Sequence, residues 1–421
     1  MKNTTQNSYS VNPQASSKQS TNPTFMFSLL LGINLFNYID RQILYSVFPL
    51  IKKDLMLSDT QLGFLSSAFM IVYMLYSPIA GYFGDRHKRP PWIAVSTILW
   101  SIATFFSGII KSFHQLLFVR SMVGIGEGGY MTMAPGYISE QFPKQKRARI
   151  LSYFSIAIPI GSALGYLLGG QLGEIFGWRK TFFIVAIPGI ILGLLVFKLK
   201  DPNREFAVLK KSPPKFKNYF PLLTNKVFIF TSLSQAMATF TLGGLAAWMP
   251  TYFHRYLDFS VARAGTVFGA ITLFAGAIGM LAGGRIADFL LKRTHRAYFI
   301  VSSVGFFLSI PAAFFAIFTG SKTLSIIMFF FAIAFVFVNI GPLLAAIVGS
   351  VSTTIRSMAL AVNIFVIHAF GDAISPTVIG AFSDKWGLKT GIVACICMLA
   401  VAGFFSIVAG LYSKKEIEDT L

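Results

Sequence analysis

A chain of 421 residues that is 54% hydrophobic, 15% aromatic and only 12% charged falls outside the range of soluble domains, in which about a quarter of residues carry charge. A formal net charge of +20 would suit a nucleic-acid binder only if basic residues were interleaved with a soluble fold; here they sit in short connecting loops, so no nucleic-acid partner is expected. The only cysteines, Cys395 and Cys397, both lie in the last apolar run and supply neither a disulfide framework nor a zinc site.

The chain opens with residues 1–24, a Ser, Thr, Asn and Gln rich stretch charged only at Lys2 and Lys18, which reads as a disordered tail and not as a cleavable signal. Twelve apolar runs long enough to cross a bilayer follow, at 25–51, 60–84, 91–110, 113–139, 150–172, 181–197, 227–252, 261–290, 298–318, 324–350, 357–382 and 388–412. The expected fold is therefore an all-α polytopic membrane protein. The longest connection, Lys198 to Lys226, holds eight Lys or Arg and the pair Pro213-Pro214, the composition of a solvated linker. It divides the chain into six-helix halves at 25–198 and 227–413, with a linker at 199–226 and a tail at 414–421. With both termini on one side, that side carries 23 Lys and Arg against 10 opposite, which places both termini in the cytoplasm.

The halves repeat each other. Gly81-x-x-x-Asp85 closes the second run and Gly284-x-x-x-Asp288 the eighth, 203 residues apart; Gly170 to Gly177, with Glu174, closes the fifth and Gly380 to Gly387, with Asp384, the eleventh, 210 apart. Parallel repeats of this kind place a transporter's substrate site between the halves, near mid-membrane.

The first run contains a polar cluster, Asn34-Leu-Phe-Asn37-Tyr38-Ile-Asp40-Arg41-Gln42. An ionised side chain at that depth costs on the order of 3 kcal/mol unless it faces a wet cavity or a partner. The run is read as lining a solute pathway; a structural Asp-Arg pair pinning helices together is the alternative. On the fourth run Arg120 and Glu127 lie seven residues apart, nearly two turns, and so share a face. Glu127 either pairs with Arg41 or Arg120, or takes up a proton. The fifth run, Pro159 to Gly170, is a ladder of small residues that lets helices pack closely in lipid. On the eleventh run His368 and Asp372, four residues apart, either share a proton or form a satisfied hydrogen-bonded pair.

Gly81-Tyr-Phe-Gly84-Asp85-Arg86-His87-Lys88-Arg89 resembles the signature loop between the second and third helices of the major facilitator superfamily, with Lys88 in place of a Gly. The resemblance implies gating by Gly81, Asp85, Arg86 and Arg89, and by Asp288 in the second half. The glycine ladder resembles that superfamily's antiporter motif but lacks its Gly-Pro, so exchange is not inferred. Taken together with Asn37-Tyr38-x-Asp40-Arg41, Arg120-x-x-x-Gly124-x-Gly126-Glu127, Ala157 to Tyr166 and His368-x-x-Gly371-Asp372-x-x-Ser375-Pro376, the chain resembles the Spinster family of lysolipid and sphingosine phosphate transporters, densely over 34–200 and again over 363–384.

That resemblance implies a proton-coupled secondary transporter of amphipathic lipids working by alternating access. Asp40, Arg41 and Glu127 would couple the proton; Arg41, Arg120, Glu127, Asn37, Tyr38, His368 and Asp372 would contact substrate. Asp40 is expected to pair with Arg41 or another cation when ionised. No cofactor is expected, the proton gradient being the driving force, and the chain is expected to be a monomer among membrane lipids in a bacterial inner membrane. An importer of small organic anions such as sugar acids is the rival reading, since related families share the Asn-Tyr-x-Asp-Arg helix. A non-transporting receptor would have no need of these buried charges, and no catalytic triad order, metal cluster or phosphate-binding loop points to an enzyme.

Overall fold

The computed structural model describes residues 22–201, 220–352 and 355–418; the amino-terminal tail to residue 21, most of the linker and the last three residues lie outside that range. Twelve long helical segments run up and down. In the first half they are α1 (Pro23–Ser46), α2 (Asp59–Arg86), α3 (Arg89–Ser107), α4 (Phe113–Gln141), α5 (Lys144–Ser155 continued by Ala157–Phe176) and α6 (Trp178–Val196). In the second they are α7 (Lys226–Tyr256), α8 (Val261–Leu291), α9 (Ala297–Phe318), α10 (Lys322–Phe337 continued by Ile340–Gly349), α11 and α12 (Leu388–Glu418). α11 is broken into Arg356–Ile367, a π turn at His368–Asp372, and Ser375–Trp386.

Local sequence sets these boundaries. Ser58, Ser112, Asn225, Ser260 and Ser321 each accept a backbone N–H from the first turn of the helix that follows, satisfying groups that have no intrahelical partner. Gly177 and Gly387, repeat mates 210 residues apart, turn the chain between α5 and α6 and between α11 and α12 at φ of 81° and 86°, a conformation a side chain would strain. Ten of the twelve segments are apolar enough to qualify as membrane spans on composition alone. The other two, α1 and α4, are those that carry Asp40, Arg41, Arg120 and Glu127. The charges they carry are buried or nearly so, turned away from lipid, and these helices need not be uniformly apolar.

The halves meet at the end away from the termini. One apolar core there draws on both, from Phe48 and Leu62 to Trp248, Phe268 and Ile379; Phe48 lies against Trp248 with ring centroids 5.5 Å apart and Tyr166 against Phe268 at 4.8 Å. Towards the termini the cores separate, one around Ile93, Tyr137 and Val196 of the first half and a small one around Phe228, Ile347 and Ala359 of the second. The molecule is thus closed at the far end and splayed at the end bearing its termini.

Candidate functional site

The polar residues of α1 face inward. Asn34, Asn37, Asp40 and Gln42 are all buried, and the small residues of α5 allow this helix to be approached closely: a Cβ at Gly161 would come within 2.7 Å of the Leu35 carbonyl, and one at Gly165 within 2.6 Å of the Ile39 carbonyl. The ladder seen in the sequence is therefore a helix-packing surface, and it presses α1 towards the centre.

Arg41 reaches across to Glu127 of α4, with Nε at 3.2 Å and Nη2 at 2.8 Å from the same carboxylate oxygen. Glu127 is wholly buried, while Arg41 keeps 12% of its side chain exposed. Three rings surround the guanidinium, Tyr38 at 5.1 Å, Phe69 at 4.9 Å and Tyr73 at 5.4 Å, within cation–π range. Asp40 takes a different partner from the one its sequence neighbour suggested: Thr104 of α3 donates its hydroxyl to it at 2.5 Å. The charges of Arg120 and Arg41 both bear on Asp40. Arg120 is fully buried, its guanidinium 5.2 Å from the Phe69 ring. Its three nitrogens have no hydrogen-bond partner among the described residues, and neither do the side-chain atoms of Asn37, Asp40 Oδ1 and Glu127 Oε1.

The second half contributes the break in α11. His368 Nδ1 lies 2.9 Å from Asp372 Oδ1, and the His368 ring faces Tyr73 of α2 at 6.4 Å. Asp372 lines a cavity of about 220 Å³ with Gln42, Ser162, Tyr166, Thr239 and Thr272, walled by Leu242, Leu245, Phe268, Ile333 and Phe337. Polar groups from both halves thus face one space.

The signature loop lies elsewhere. Asp85 and Arg86 are exposed at the terminal end of α2, where Arg86 stacks on Tyr82 at 3.6 Å. Arg89 is buried: it donates to Glu140 at 2.6 Å, and its backbone N–H to Asp201 at 3.2 Å, tying the ends of α3, α4 and α6 together. Asp288 is exposed. Gly81 has ordinary contact with Thr132, and Gly284 has nothing within 4 Å of a built Cβ.

A pattern describing the Major Facilitator Superfamily matches residues 30–376. Among curated relatives, Protein spinster homolog 3 of Danio rerio is 30% identical over 96% of this chain and 88% of its own length. The chain belongs to the Spinster family of that superfamily. The Sphingosine-1-phosphate transporter SPNS2 of Mus musculus is 30% identical over 92% of this chain and 77% of its own length. Among solved structures, a bacterial homolog to the human lysosomal transporter Spinster, in an inward-facing and unoccupied conformation, superposes with a TM-score of 0.85 at 24% identity, covering 95% of this chain and 98% of that one; this likeness bears on the fold. The protein is a multi-pass integral membrane transporter and not an enzyme.

Sequence reasoning missed three contributors. Thr104 lay in an apolar run without a signal of its own; Phe69 and Tyr73 were indistinguishable from lipid-facing aromatics. Among other aromatics, Trp248 and Tyr252 of α7 are buried, Trp248 Nε1 donating to the Pro376 carbonyl, whereas Phe365 of α11 is about half exposed.

Proposed function

We propose that this chain is a proton-coupled secondary transporter of amphipathic lipids with an anionic head, working by alternating access. The observation that carries the reading is the buried cluster itself: two arginines, one ion-paired and one without a hydrogen bond, beside two carboxyl groups inside the first half. Arg120 offers a guanidinium fork suited to a phosphate or carboxylate, and the Leu, Phe and Ile wall of the neighbouring cavity suits an alkyl chain. With the termini in the cytoplasm, as the charge asymmetry of the loops argues, the splayed end faces inward and the membrane is a bacterial inner membrane.

In this mechanism Asp40 carries the proton. Ionised, it balances Arg120 and accepts from Thr104; protonated, it leaves Arg120 without a counter-charge and ready for an anionic headgroup, while Arg41 holds Glu127. Proton and substrate shift the halves only through their different affinities for the two states. His368 and Asp372 contact the substrate from the second half. The signature loop, with Gly81, Asp85, Arg86, Arg89 and, in the second half, Asp288, closes the terminal end when the halves rock.

The test is ligand-dependent thermal stability of the purified protein with lysophospholipids, sphingosine phosphate and sugar acids, near pH 5.5 and 7.5, repeated on Asp40→Asn. A ligand at 100 times its Kd stabilises by about 2.7 kcal/mol. A shift with lipids that depends on pH in the parent and not in Asp40→Asn is expected. A shift with sugar acids alone would replace this reading with the small-anion importer and make Arg41 the substrate clamp.

A further inference from the structure

The closed end is held by a pair of matching contacts that lie far from the central charges. Glu174, at the end of α5, accepts the backbone N–H of Ala262 at the start of α8, at 2.7 Å. Asp384, at the end of α11, accepts the backbone N–H groups of Asp59 and Thr60 at the start of α2, at 2.9 and 2.8 Å, and the Thr60 hydroxyl at 2.6 Å. Each carboxylate belongs to one half and caps a helix of the other, where unpaired N–H groups and the positive end of the helix dipole favour an anion.

The two contacts are images of each other in the internal repeat. Glu174 and Asp384 are 210 residues apart, and Asp59 and Ala262 are 203 apart, the same two offsets that relate the halves in sequence. The glycines obey the same relation: a Cβ at Gly170 would come within 3.2 Å of the Ala262 carbonyl, and one at Gly380 within 2.3 Å of the Asp59 carbonyl. At both seams the absence of a side chain lets backbone approach backbone, which brings the cap within reach.

At one place the symmetry fails. Lys52 and Arg255, again 203 residues apart, both converge on Asp59: Arg255 binds it with Nη1 at 2.6 Å and Nη2 at 2.7 Å, and Lys52 Nζ lies at 2.5 Å. The Ser383 hydroxyl of α11 donates to it too. Asp59 is 2% exposed, so these donors stand where water would. Its counterpart, Ala262, carries no charge. The α5–α8 seam therefore has a cap and one neutral hydrogen bond, from Gln171 to the Thr266 hydroxyl at 3.2 Å, and the α2–α11 seam has a cap plus an ion-paired knot reaching from the α1–α2 connection to α7 and α11.

We propose that Glu174 and Asp384 form a two-point latch on the closed end, with the α2–α11 point, reinforced through Asp59, dominant. The closed end is then held by helix termini and one buried carboxylate, none of which belongs to the central charges. The inference rests on the alternating-access reading only in taking this end to be one that opens.

The reporter is Ser67→Cys, on the α2 face of that seam, in a full-length Cys395→Ala, Cys397→Ala background held in lipid nanodiscs. The quantity read is its rate of modification by a water-soluble maleimide. Asp384→Asn and Asp59→Asn are expected to raise that rate by about tenfold or more, and Glu174→Gln by no more than about threefold. Rates equal to the parent's in monodisperse Asp384→Asn and Asp59→Asn protein would overturn the latch. A Glu174→Gln rate matching that of Asp384→Asn would overturn the dominance of one seam. If the Asp variants do not fold, Arg255→Gln, which removes a partly exposed cation and leaves every cap in place, decides: it raises the rate or the role of the Asp59 knot is lost. Modification rates read the gate and not the cargo, so a negative result in the lipid binding test leaves them intact.

Discussion

At the scale of single residues, the buried charges differ in how they are compensated, and the difference sets the expected effect of removing each. Arg41 and Glu127 form a closed pair. Breaking such a pair from one side leaves an uncompensated charge and costs about 3–5 kcal/mol. Glu127→Gln is therefore expected to lower the thermal unfolding midpoint markedly, and an anionic ligand to recover part of that loss by occupying Arg41. Arg120 is the opposite case, buried with no hydrogen bond to lose. Replacing it by Met, of similar length and no charge, is expected to leave the stability of the ligand-free protein within about 1 kcal/mol of the parent, because the desolvation cost of a buried cation disappears with its charge. The same variant is expected to show no stabilisation by anionic lipids. A large loss of stability without ligand would make the charge balance between Arg120 and Asp40 a requirement of the fold and not a step of the transport cycle. These residues were legible in the sequence because charge in an apolar run has no cheap explanation. Their pairing was legible only in part: the sequence offered Arg41 or Arg120 to Glu127, and Arg41 takes it, but Asp40 and Arg41, adjacent in sequence, point to different helices, and Thr104 is brought to Asp40 only by packing.

Among the elements, α5 and α11 show which features a sequence carries openly. The ladder on α5 is explicit, and its consequence follows from distance: a Cβ at Gly165 would sit 2.6 Å from the Ile39 carbonyl and 2.8 Å from the Gln42 side chain. Gly165→Ala is expected to cost about 1–3 kcal/mol by forcing α1 and α5 apart, whereas Gly284→Ala, with open space around it, is expected to be silent in thermal unfolding. Equal effects at the two positions would deny that close approach is the reason for the ladder. The break in α11 was harder to see. Its sequence reads as one continuous run, yet Pro376 has no N–H to offer the preceding turn, and at Gly371 the backbone leaves helical geometry (φ −106°, ψ −108°) where α7 brings the Ala236 carbonyl to 3.0 Å from a built Cβ. The proline was visible; the pressure from α7 was not. Twelve runs could be counted from apolarity because each must satisfy its own backbone in lipid, and the same apolarity on all sides hid which face of each helix turned inward.

For the whole molecule, the internal repeat has the widest consequence, since offsets of 203 and 210 residues relate not only motifs but the contacts between the halves. Sequence gave the offsets without their meaning: Glu174 and Asp384 looked like motif endings, and nothing marked them as reaching into the opposite half. If the closed end must open once per cycle, a covalent tie across it should stop transport without preventing binding from the splayed end. Thr377 of α11 donates its hydroxyl to that of Ser67 on α2 at 2.6 Å, so side chains from the two halves already meet there. Ser67→Cys with Thr377→Cys, in the cysteine-free background, is expected to crosslink under mild oxidation. Transport in proteoliposomes should then fall to background and return on reduction, while ligand-induced thermal stabilisation persists in the oxidised protein. Each single cysteine variant should be indifferent to oxidant. Unimpaired transport by fully crosslinked protein would mean that the halves do not part at this seam, and the rocking motion would have to be replaced by a local change around the central charges.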